Sequence, residues 1–382
     1  MPMHEHDKAF HIFFSAAEPS ADAHCAALIA GLKKTGRSLE FTGFGGPKMA
    51  SAGCRLLETT TDKAAMAYNA FSKILYFRKL IGRAKSFFNK NKIDLVIVCD
   101  SPAFNFHIAK KAKKSGIKTL FYVAPQLWAW APWRIYKLRK RCDKLVCILP
   151  FEEAWFKSRG IDATYVGHPL LAESNTEHNA RKKDYAGFDP QKVKILLLPG
   201  SRNAEIDTLW KPMQQIVLRL RRKFPGLEVT TVALDEKTVQ KLKSRYTVGF
   251  RCSYTTGSVS DAACDADFAI VASGTATLQV AAAGCPLVVM YQSSRLLWHL
   301  LGRWLIRTKY LSLVNILAEK ELVTEFMPYF KSIDPIVRTI EEMLRDKNRL
   351  SQFSGELVDV TGPLCSENAS QKTAQIVTEL LC

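Results

Sequence analysis

The sequence predicts an α/β protein made of two doubly wound parallel sheets. Short, continuous apolar runs alternate with helix-like segments along the chain, which is typical of strands covered on both faces. The 382 residues are enough for two domains of ordinary size. One polar stretch without apolar periodicity, residues 174–190, divides the alternation. We therefore expect domains at 1–173 and 190–382, with a cleft between them where strand ends bind nucleotides or phosphates, and a last helix able to return to the first domain.

The individual strands are predicted from buried-type runs bounded by loops. In the first half these runs are Phe10–Phe14, Leu39–Gly43, Leu95–Cys99, Thr119–Val123 and Lys144–Ile148. In the second half they are Ile195–Leu198, Leu227–Ala233, Phe268–Val271 and Leu287–Met290. A helical pattern follows most of them, as βα units require.

The charge and the amino-acid composition indicate which ligands and which cellular compartment suit the protein. The net charge is +18, and residues 73–157 alone hold 19 Lys or Arg against 5 Asp or Glu, which predicts an anion-attracting surface. Ten cysteines without a CxxC pair, after a polar start, predict a reduced cytosolic compartment and no zinc site. Apolar stretches are too short to span a bilayer. Aromatic and cationic residues interleave at Pro125–Tyr136, but without a nucleic-acid motif they favour a ligand-binding loop over a nucleic-acid surface.

Two strand-to-helix junctions of the second half suit an anion. After the strand ending at Leu198, Ser201 and Arg202 offer backbone N–H groups and a guanidinium to a pyrophosphate. The alternative is an ordinary βα turn with an N-cap serine and a solvated arginine. After the strand ending at Val271, small residues and hydroxyls follow, which either admit a ligand or simply pack tightly.

Candidate acids and bases lie in the first half. Asp100 follows the most apolar strand of the chain, so its carboxylate should lie at the ligand-binding edge and could act as a general base. The alternative is an N-cap of the next helix. Glu18 and Asp22, on the first βα loop, are similar candidates, and spacing does not choose among the three.

Two segments combine large apolar residues with cations and contain no acids. They are Met66–Ile81 and Arg295–Lys309. This composition is typical of helices that lie in a membrane interface. Buried amphipathic helices share it, so both interpretations stay open at this point.

Nine short motifs, taken in order, resemble those of the lipid-A-disaccharide synthase family. They extend from about residue 10 to about residue 330. The motifs are Ser15–Asp22, Gly45–Met49, Asp100–Asn105, Tyr122–Trp130, Cys147–Glu153, Tyr165–Leu170, Leu196–Arg202, Ser273–Thr277 and Asn315–Ala318.

The resemblance implies a GT-B glycosyltransferase that needs neither a metal nor a cofactor. Its reaction joins UDP-2,3-diacylglucosamine to 2,3-diacylglucosamine 1-phosphate with inversion, giving a β-1,6-linked tetraacyl disaccharide 1-phosphate and UDP. It implies Asp100 as the base for the acceptor 6-hydroxyl, Asn315 as a uridine contact and Gln279 as a ribose contact. The diphosphate would be held by Ser201, Arg202, Ser273, Gly274, Thr275 and Thr277.

The same resemblance implies the partners and the location. The partners would be a UDP-sugar donor, an acylated glucosamine phosphate acceptor and the cytoplasmic face of the inner membrane, without nucleic acid. The oligomeric state, a homodimer included, is left open.

Several positions depart from the family pattern. Ala17, Ala21 and Cys25 replace glycines of the first loop, Ala103 replaces an acid, and Gln279 replaces a common Glu. Alanine resists positive φ, so we expect a shift of that loop. These departures motivate two alternatives, a GT-B paralogue with another acceptor and a non-catalytic phosphoglycolipid-binding protein.

Overall fold

The computed structural model describes residues 9–61, 70–172, 182–295, 298–302, 305–365 and 368–382. They form two compact units. Unit 1 takes the described residues up to Ala172 and from Asn368 onward, and unit 2 takes those from Lys182 to Cys365. Half of the predicted linker, residues 174–181, lies outside the described residues.

Unit 1 is built on a parallel sheet of seven strands in its described part. The strands are β1 Phe10–Ala16, β2 Leu39–Gly45, β3 Arg55–Thr59, β4 Leu95–Cys99, β5 Lys118–Tyr122, β6 Lys144–Cys147 and β7 Ala163–Tyr165. Their order in the sheet is β3-β2-β1-β4-β5-β6-β7. The helices are α1 Pro19–Lys33, α2 Pro47–Ser51, α3 Ala70–Lys90, α4 Pro102–Lys114, α5 Ile135–Arg139, α6 Pro150–Lys157, α7 Pro169–Ala172 and, at the C-terminus, Ala369–Leu381. A 3₁₀ turn spans Pro132–Arg134.

Unit 2 repeats the plan with six parallel strands among its described residues. They are β8 Lys194–Leu198, β9 Glu228–Val232, β10 Ser253–Thr255, β11 Phe268–Ala272, β12 Leu287–Met290 and β13 Thr324–Phe326, in the order β10-β9-β8-β11-β12-β13. The helices are α8 Asn203–Leu220, α9 Glu236–Ser244, α10 Val259–Asp265, α11 Ala276–Ala282, α12 Leu313–Ala318, α13 Asp334–Leu344 and α14 Lys347–Cys365, with a π turn at Trp298–Gly302. The C-terminal helix of unit 1 is α15.

Strand β1 shows how the alternation of side chains builds a sheet covered on both faces. Ile12 and Phe14 pack into the cluster that includes Leu28 of α1. Phe13 points to the other face, where its ring meets those of Phe44 and Phe88 edge-on at 5.4 and 5.0 Å. Both faces are therefore dry, as a parallel sheet requires.

The C-terminal helix α15 packs on α1. The close approach is made at Gly31, where a Cβ would lie 3.2 Å from the backbone oxygen of Ser370. The last helix of the chain is thus part of unit 1.

The predicted fold class is confirmed: both units are doubly wound α/β structures. In each sheet the strand order reverses once, between β1 and β4 in unit 1 and between β8 and β11 in unit 2. At such a reversal the loops after the two strands diverge to opposite faces and leave room for a ligand at the carboxyl edge.

Candidate active site

The turn after β4 holds Asp100 at the carboxyl edge of unit 1 in a strained conformation. Asp100 and Ser101 are consecutive non-glycine residues with φ of 50° and 43°. Left-handed backbone at a residue with a Cβ costs roughly 1–2 kcal/mol, and such strain is concentrated at functional sites. The backbone N–H of Asp100 donates to the oxygen of Tyr122 at 3.1 Å, which fixes the turn to the end of β5. The carboxylate of Asp100 is half-buried.

Asn105, on the helix α4 that follows, stabilises this turn. Its side chain is fully buried. Nδ2 lies 2.8 Å from the backbone oxygens of both Cys99 and Asp100, and Oδ1 accepts from the hydroxyl of Ser15 at 2.7 Å. The amide therefore ties the end of β1 to the end of β4 and compensates part of the strain. Sequence reasoning assigned it no role, although its position one turn into the helix after an Asp-Ser-Pro turn was a usable signal.

The other two predicted carboxylates occupy different surroundings. Glu18 is half-buried at the N-cap position of α1, and its Oε1 lies 3.4 Å from the hydroxyl of Ser101. The structure thus brings Glu18 to the Asp100 turn. Asp22 is buried and accepts from the backbone N–H groups of Gly46, Lys48 and Met49 at 2.8, 3.1 and 3.0 Å. Those bonds engage both carboxylate oxygens in fixing the loop after β2.

A buried carboxylate anchors the aromatic loop after β5. Glu152 is 1% exposed, and its Oε1 accepts from the indole N–H of Trp128 at 2.9 Å. Its Oε2 accepts from the backbone N–H groups at the start of α6. Burial raises the pKa of Glu152 to about 7, against the opposing effect of these bonds. The loop begins and ends with strained residues, Val123 at φ 61° and Ala131 at φ 57°.

Two buried histidines of unit 1, His24 and His168, lie close to each other. The rings of His24 and His168 are 6.2 Å apart between centroids and buried. Burial lowers the pKa of His24 to about 4 and that of His168 to about 3, so both rings are neutral at neutral pH. They are not positioned or charged to act as exposed acids.

In unit 2, the turn after β8 is already occupied by a carboxylate of its own. Glu205 Oε2 accepts from the N–H groups of Ser201 and Arg202 at 3.0 and 3.1 Å. Gly200 has φ of 100°, and a Cβ there would lie 2.3 Å from Glu205 Oε2. The two N–H groups predicted to be available for a phosphate are thus engaged by Glu205. The side chain of Arg202 is 66% exposed, and its Nη1 lies 3.2 Å from Glu205 Oε1.

The turn after β11 is small and open. The N–H of Ser273 donates to the oxygen of Met290 at 3.0 Å, which fixes the turn to β12. Beside Gly274, no described atom lies within 4 Å of the place a Cβ would take. The hydroxyl of the buried Thr277 donates to the oxygen of Gly274 at 2.7 Å, while Thr275 and Gln279 are half-buried. The space beside the glycine is what close approach of a ligand to backbone would need.

Asn315 is buried in α12, which packs against α11. Its Nδ2 donates to the oxygen of Val323 and to Glu325, and its Oδ1 accepts from the N–H groups of Leu322 and Val323, at 2.7 to 2.8 Å. These four bonds use the full capacity of the amide. The predicted contact with uridine stays a prediction, and the observed bonds are those of a residue that holds the strand β13 and its preceding loop.

Comparison with known proteins identifies the family of the chain. A model of the family described as lipid-A-disaccharide synthetase matches residues 12–377. Lipid-A-disaccharide synthase 1 of Legionella pneumophila (strain Philadelphia 1) is 32% identical over 367 residues, which cover 94% of this chain and 95% of the relative. Lipid-A-disaccharide synthase of Myxococcus xanthus is 30% identical, covering 97% of each chain.

The chain belongs to the lipid-A-disaccharide synthase family.

Solved structures agree on the fold of this family member. The Staphylococcus aureus MnaA–UDP structure matches with a TM-score of 0.64 at 12% identity, covering 98% of this chain and 97% of the other. UDP-GlcNAc 2-epimerase of Neisseria meningitidis, bound to UDP-GlcNAc, matches with a TM-score of 0.62 at 12% identity, covering 97% and 100%. At such identities the likeness shows the two-unit GT-B architecture.

The family departures are accommodated in the first loop. Ala17, Ala21 and Cys25 are almost fully buried. None of them belongs to the described residues of positive φ, and the latter two lie within α1. The expected conformational reason for a shift of the loop is therefore absent at these three positions. Ala103 is exposed on the first turn of α4.

The two apolar and basic segments of this synthase family member are described in part. Of the first, residues 66–69 lie outside the described residues, whereas Ile74 and Leu75 on α3 are 55% and 51% exposed. Phe77, by contrast, stacks on the buried Phe104 at 4.7 Å. Of the second, residues 296–297 and 303–304 lie outside the described part, and Leu300 is 61% exposed. Within the described residues, no helix is long and apolar enough to cross a membrane.

The cysteines of the protein are all free thiols. All ten cysteines are described, and none forms a disulfide. Among the residues that the structure describes, no group of three or more His, Cys, Asp or Glu side chains could hold a metal ion.

Proposed function

We propose that this protein transfers 2,3-diacylglucosamine from its UDP derivative to 2,3-diacylglucosamine 1-phosphate. The products are a β-1,6-linked tetraacyl disaccharide 1-phosphate and UDP, and the configuration at the anomeric carbon is inverted. The observation that supports this most is the Asp100 turn. A transferase needs a half-buried aspartate on a strained turn at the strand reversal, whereas a protein that only binds glycolipid does not need one.

Asp100 acts as the general base in this proposal. As the acceptor 6-hydroxyl oxygen bonds to the anomeric carbon of the donor, its proton passes to the Asp100 carboxylate. The bond from that carbon to the diphosphate oxygen breaks on the opposite side, and its electron pair leaves with UDP. Glu18, which contacts the hydroxyl of the neighbouring Ser101, helps to fix the turn. Asn105 holds the backbone of Asp100 in place.

Unit 2 binds the departing diphosphate. The exposed guanidinium of Arg202 provides a fork of charged donors that offsets the charge that develops on the leaving group. The open space at Gly274 lets the diphosphate approach the backbone beside the hydroxyls of Ser273, Thr275 and Thr277. Because Glu205 engages the Ser201 and Arg202 N–H groups, the turn after β8 contacts the ligand through the Arg202 side chain in this proposal.

The protein works at the cytoplasmic surface of the inner membrane in this proposal, because both substrates carry acyl chains. The excess of cations in residues 73–157 and the exposed Ile74 and Leu75 suit such a surface.

The deciding experiment incubates the purified chain with both lipid substrates dispersed in detergent. Mass spectrometry should find the tetraacyl disaccharide 1-phosphate and UDP in equal amounts, and NMR should show the new linkage as β. Binding of both lipids without turnover would favour the non-catalytic alternative. Turnover of the donor only with a different acceptor sugar would favour a paralogue.

A further inference from the structure

Unit 2 has a surface cavity that belongs to neither candidate loop. Its volume is about 630 Å³. It lies between the second half of α8, the segment after β12 and the segment after β13. Its lining residues are Pro212, Gln215, Leu218, Arg219, Arg222, Gln292, Arg295, Phe330, Lys331, Ser332 and Ile333.

The polar wall of this cavity is cationic. Arg219, Arg222, Arg295 and Lys331 all line it. The carboxylate nearest to them in the chain, Asp334, is paired with Arg219. Within the described residues, neither Arg222 nor Lys331 forms an ion pair, and both are exposed. The cavity therefore has an excess of positive charge and suits an anion.

The rest of the lining is a mixture of apolar residues and uncharged polar ones, Gln215, Gln292 and Ser332. Pro212, Leu218, Phe330 and Ile333 provide carbon surface beneath the cations. Gln292 Oε1 accepts from the N–H of Phe330 at 3.1 Å, so the two segments that form this wall are fixed to each other. The cavity therefore suits a ligand that combines an anionic group with an apolar portion.

One residue of the cavity lining, Arg295, is also the first residue of the apolar and basic segment Arg295–Lys309. The Arg295 guanidinium lies 5.3 Å from the centre of the Tyr329 ring. His299 Nε2 lies 3.0 Å from the hydroxyl of the same tyrosine, which fixes the π turn beside the cavity. Leu300, on that turn, is 61% exposed. Exposed aliphatic and aromatic groups next to cations are typical of surfaces that lie in a lipid headgroup layer.

We propose that this cavity binds the phosphate headgroup of an anionic phospholipid in a bilayer, with Leu300 entering the acyl boundary. Arg222, Lys331 and Arg295 contact the phosphodiester, and the apolar floor contacts the glycerol carbons. Each cation close to an anionic bilayer contributes about fivefold to binding. This site is separate from the residues proposed above for the diphosphate, so it serves attachment and not transfer.

The test measures sedimentation of the full chain with phosphatidylcholine vesicles, with and without phosphatidylglycerol. The double variant Arg222→Glu with Lys331→Glu should lose at least about tenfold of its binding to the vesicles with phosphatidylglycerol. The matched control is Lys237→Glu with Lys347→Glu, which changes the net charge equally on exposed lysines of unit 2 outside the cavity. Leu300→Ser should weaken binding to a smaller extent. Unchanged melting temperature and UDP affinity show that the variants are folded.

Three results would overturn the proposal. The first is equal vesicle binding by the cavity variant and its control. The second is wild-type binding that does not depend on phosphatidylglycerol. The third is binding of glycerol 1-phosphate at the cavity of the wild type, combined with vesicle binding by the double variant that equals wild type. The site would then bind a soluble phosphate and not a bilayer. Transferase activity in detergent is measured alongside, and its absence would contradict the proposed function without touching this one.

Discussion

The sheets of the two units have the same strand order around their reversal, but the turns at their carboxyl edges differ in conformation. At the edge of unit 1, residues with a Cβ, Asp100 and Ser101, take the left-handed backbone. At the edge of unit 2, the turn after β8 instead places Gly200 in that region, where no such strain arises. Unit 1 supports its strained turn with a buried amide, Asn105, whereas unit 2 closes its turn with a carboxylate, Glu205.

The difference indicates that the fold places the carboxyl edge of a sheet in both units, whereas the loop residues determine the chemistry at that edge. A carboxylate on a strained turn has a fixed position, which suits proton transfer. The relaxed turn after β8, with its exposed Arg202 side chain, and the open space at Gly274 in the turn after β11 suit a diphosphate. The following predictions test that division of roles.

The largest effect is expected at Asp100. Asp100→Asn should lower kcat at least about 100-fold while UDP affinity is unchanged, because the amide cannot accept the acceptor proton. Steady-state turnover and calorimetry measure the two quantities. Asp162→Asn, an exposed carboxylate of the same unit, is the control and should be fully active. Near-normal turnover of Asp100→Asn would exclude Asp100 as the base, and Glu18 of the same unit would be tested next.

The second effect concerns the edge of unit 2. Arg202→Ala should weaken UDP binding by roughly 1.5–3 kcal/mol, since charge-assisted bonds from a guanidinium to a diphosphate are lost. Isothermal calorimetry measures the change, and Arg349→Ala, on the exposed face of α14, provides the comparison. An unaltered affinity for UDP would show that Arg202 does not contact the diphosphate.

A smaller effect separates the membrane contact of unit 1 from its core. Ile74→Ser with Leu75→Ser should reduce binding to acidic vesicles about tenfold, because two exposed aliphatic side chains no longer enter the interface. Phe77→Ser should instead lower the melting temperature, since that ring stacks on Phe104. If the Ile74 and Leu75 variant unfolds and Phe77→Ser does not, the assignment of these faces is wrong.

The smallest effect is a pH dependence at the aromatic loop. The pKa of Glu152 in the folded protein is about 7, raised from the ordinary carboxyl value of 4.5. Between pH 4.5 and 7 this carboxyl therefore binds a proton more fully in the folded state than in the unfolded state. The contribution of this group to stability is thus complete at low pH and is lost as the pH rises through 7. Tryptophan emission should titrate with a midpoint near pH 7 in wild type and not in Glu152→Gln. Trp128→Phe identifies the indole responsible, and a titration that persists in both variants would contradict the assignment.

Much of the fold was predictable because parallel strands leave a strong apolar signal. The predicted runs at β1, β2, β4, β5 and β6 correspond to strands, as do β8, β9, β11 and β12. The edge strands β3, β7, β10 and β13 were not predicted, because three to five residues with half-exposed side chains have no distinctive periodicity. Their place in the sheet comes from tertiary pairing.

For the candidate site, the sequence predicted the placement of residues at strand ends but not their contacts. Sequence placed Asp100, Glu18, Arg202 and Gly274 at strand ends, and the structure has them there. It did not predict that Glu205 would engage the N–H groups of its own loop. Such contacts depend on the rotamer of one side chain and on distances of about 3 Å, which spacing along a chain does not specify.

The same limit applies to Asp22, Asn315 and Glu152. All three are polar residues in recognisable motifs, yet each is buried, and its hydrogen bonds hold neighbouring segments of the chain together. A sequence motif indicates that a residue type is needed at a position. Only the contacts in the structure show which segments of the chain that residue joins.

Hydrogen exchange on the full chain with and without UDP tests the division of roles most directly. UDP should slow exchange in the turns at 200–205 and 273–279 of unit 2, and should leave the Asp100–Asn105 turn of unit 1 unchanged until the acceptor lipid is added. Addition of that acceptor should then slow exchange in the Asp100–Asn105 turn. Protection of the Asp100–Asn105 turn by UDP alone, with none at the two turns of unit 2, would contradict the account.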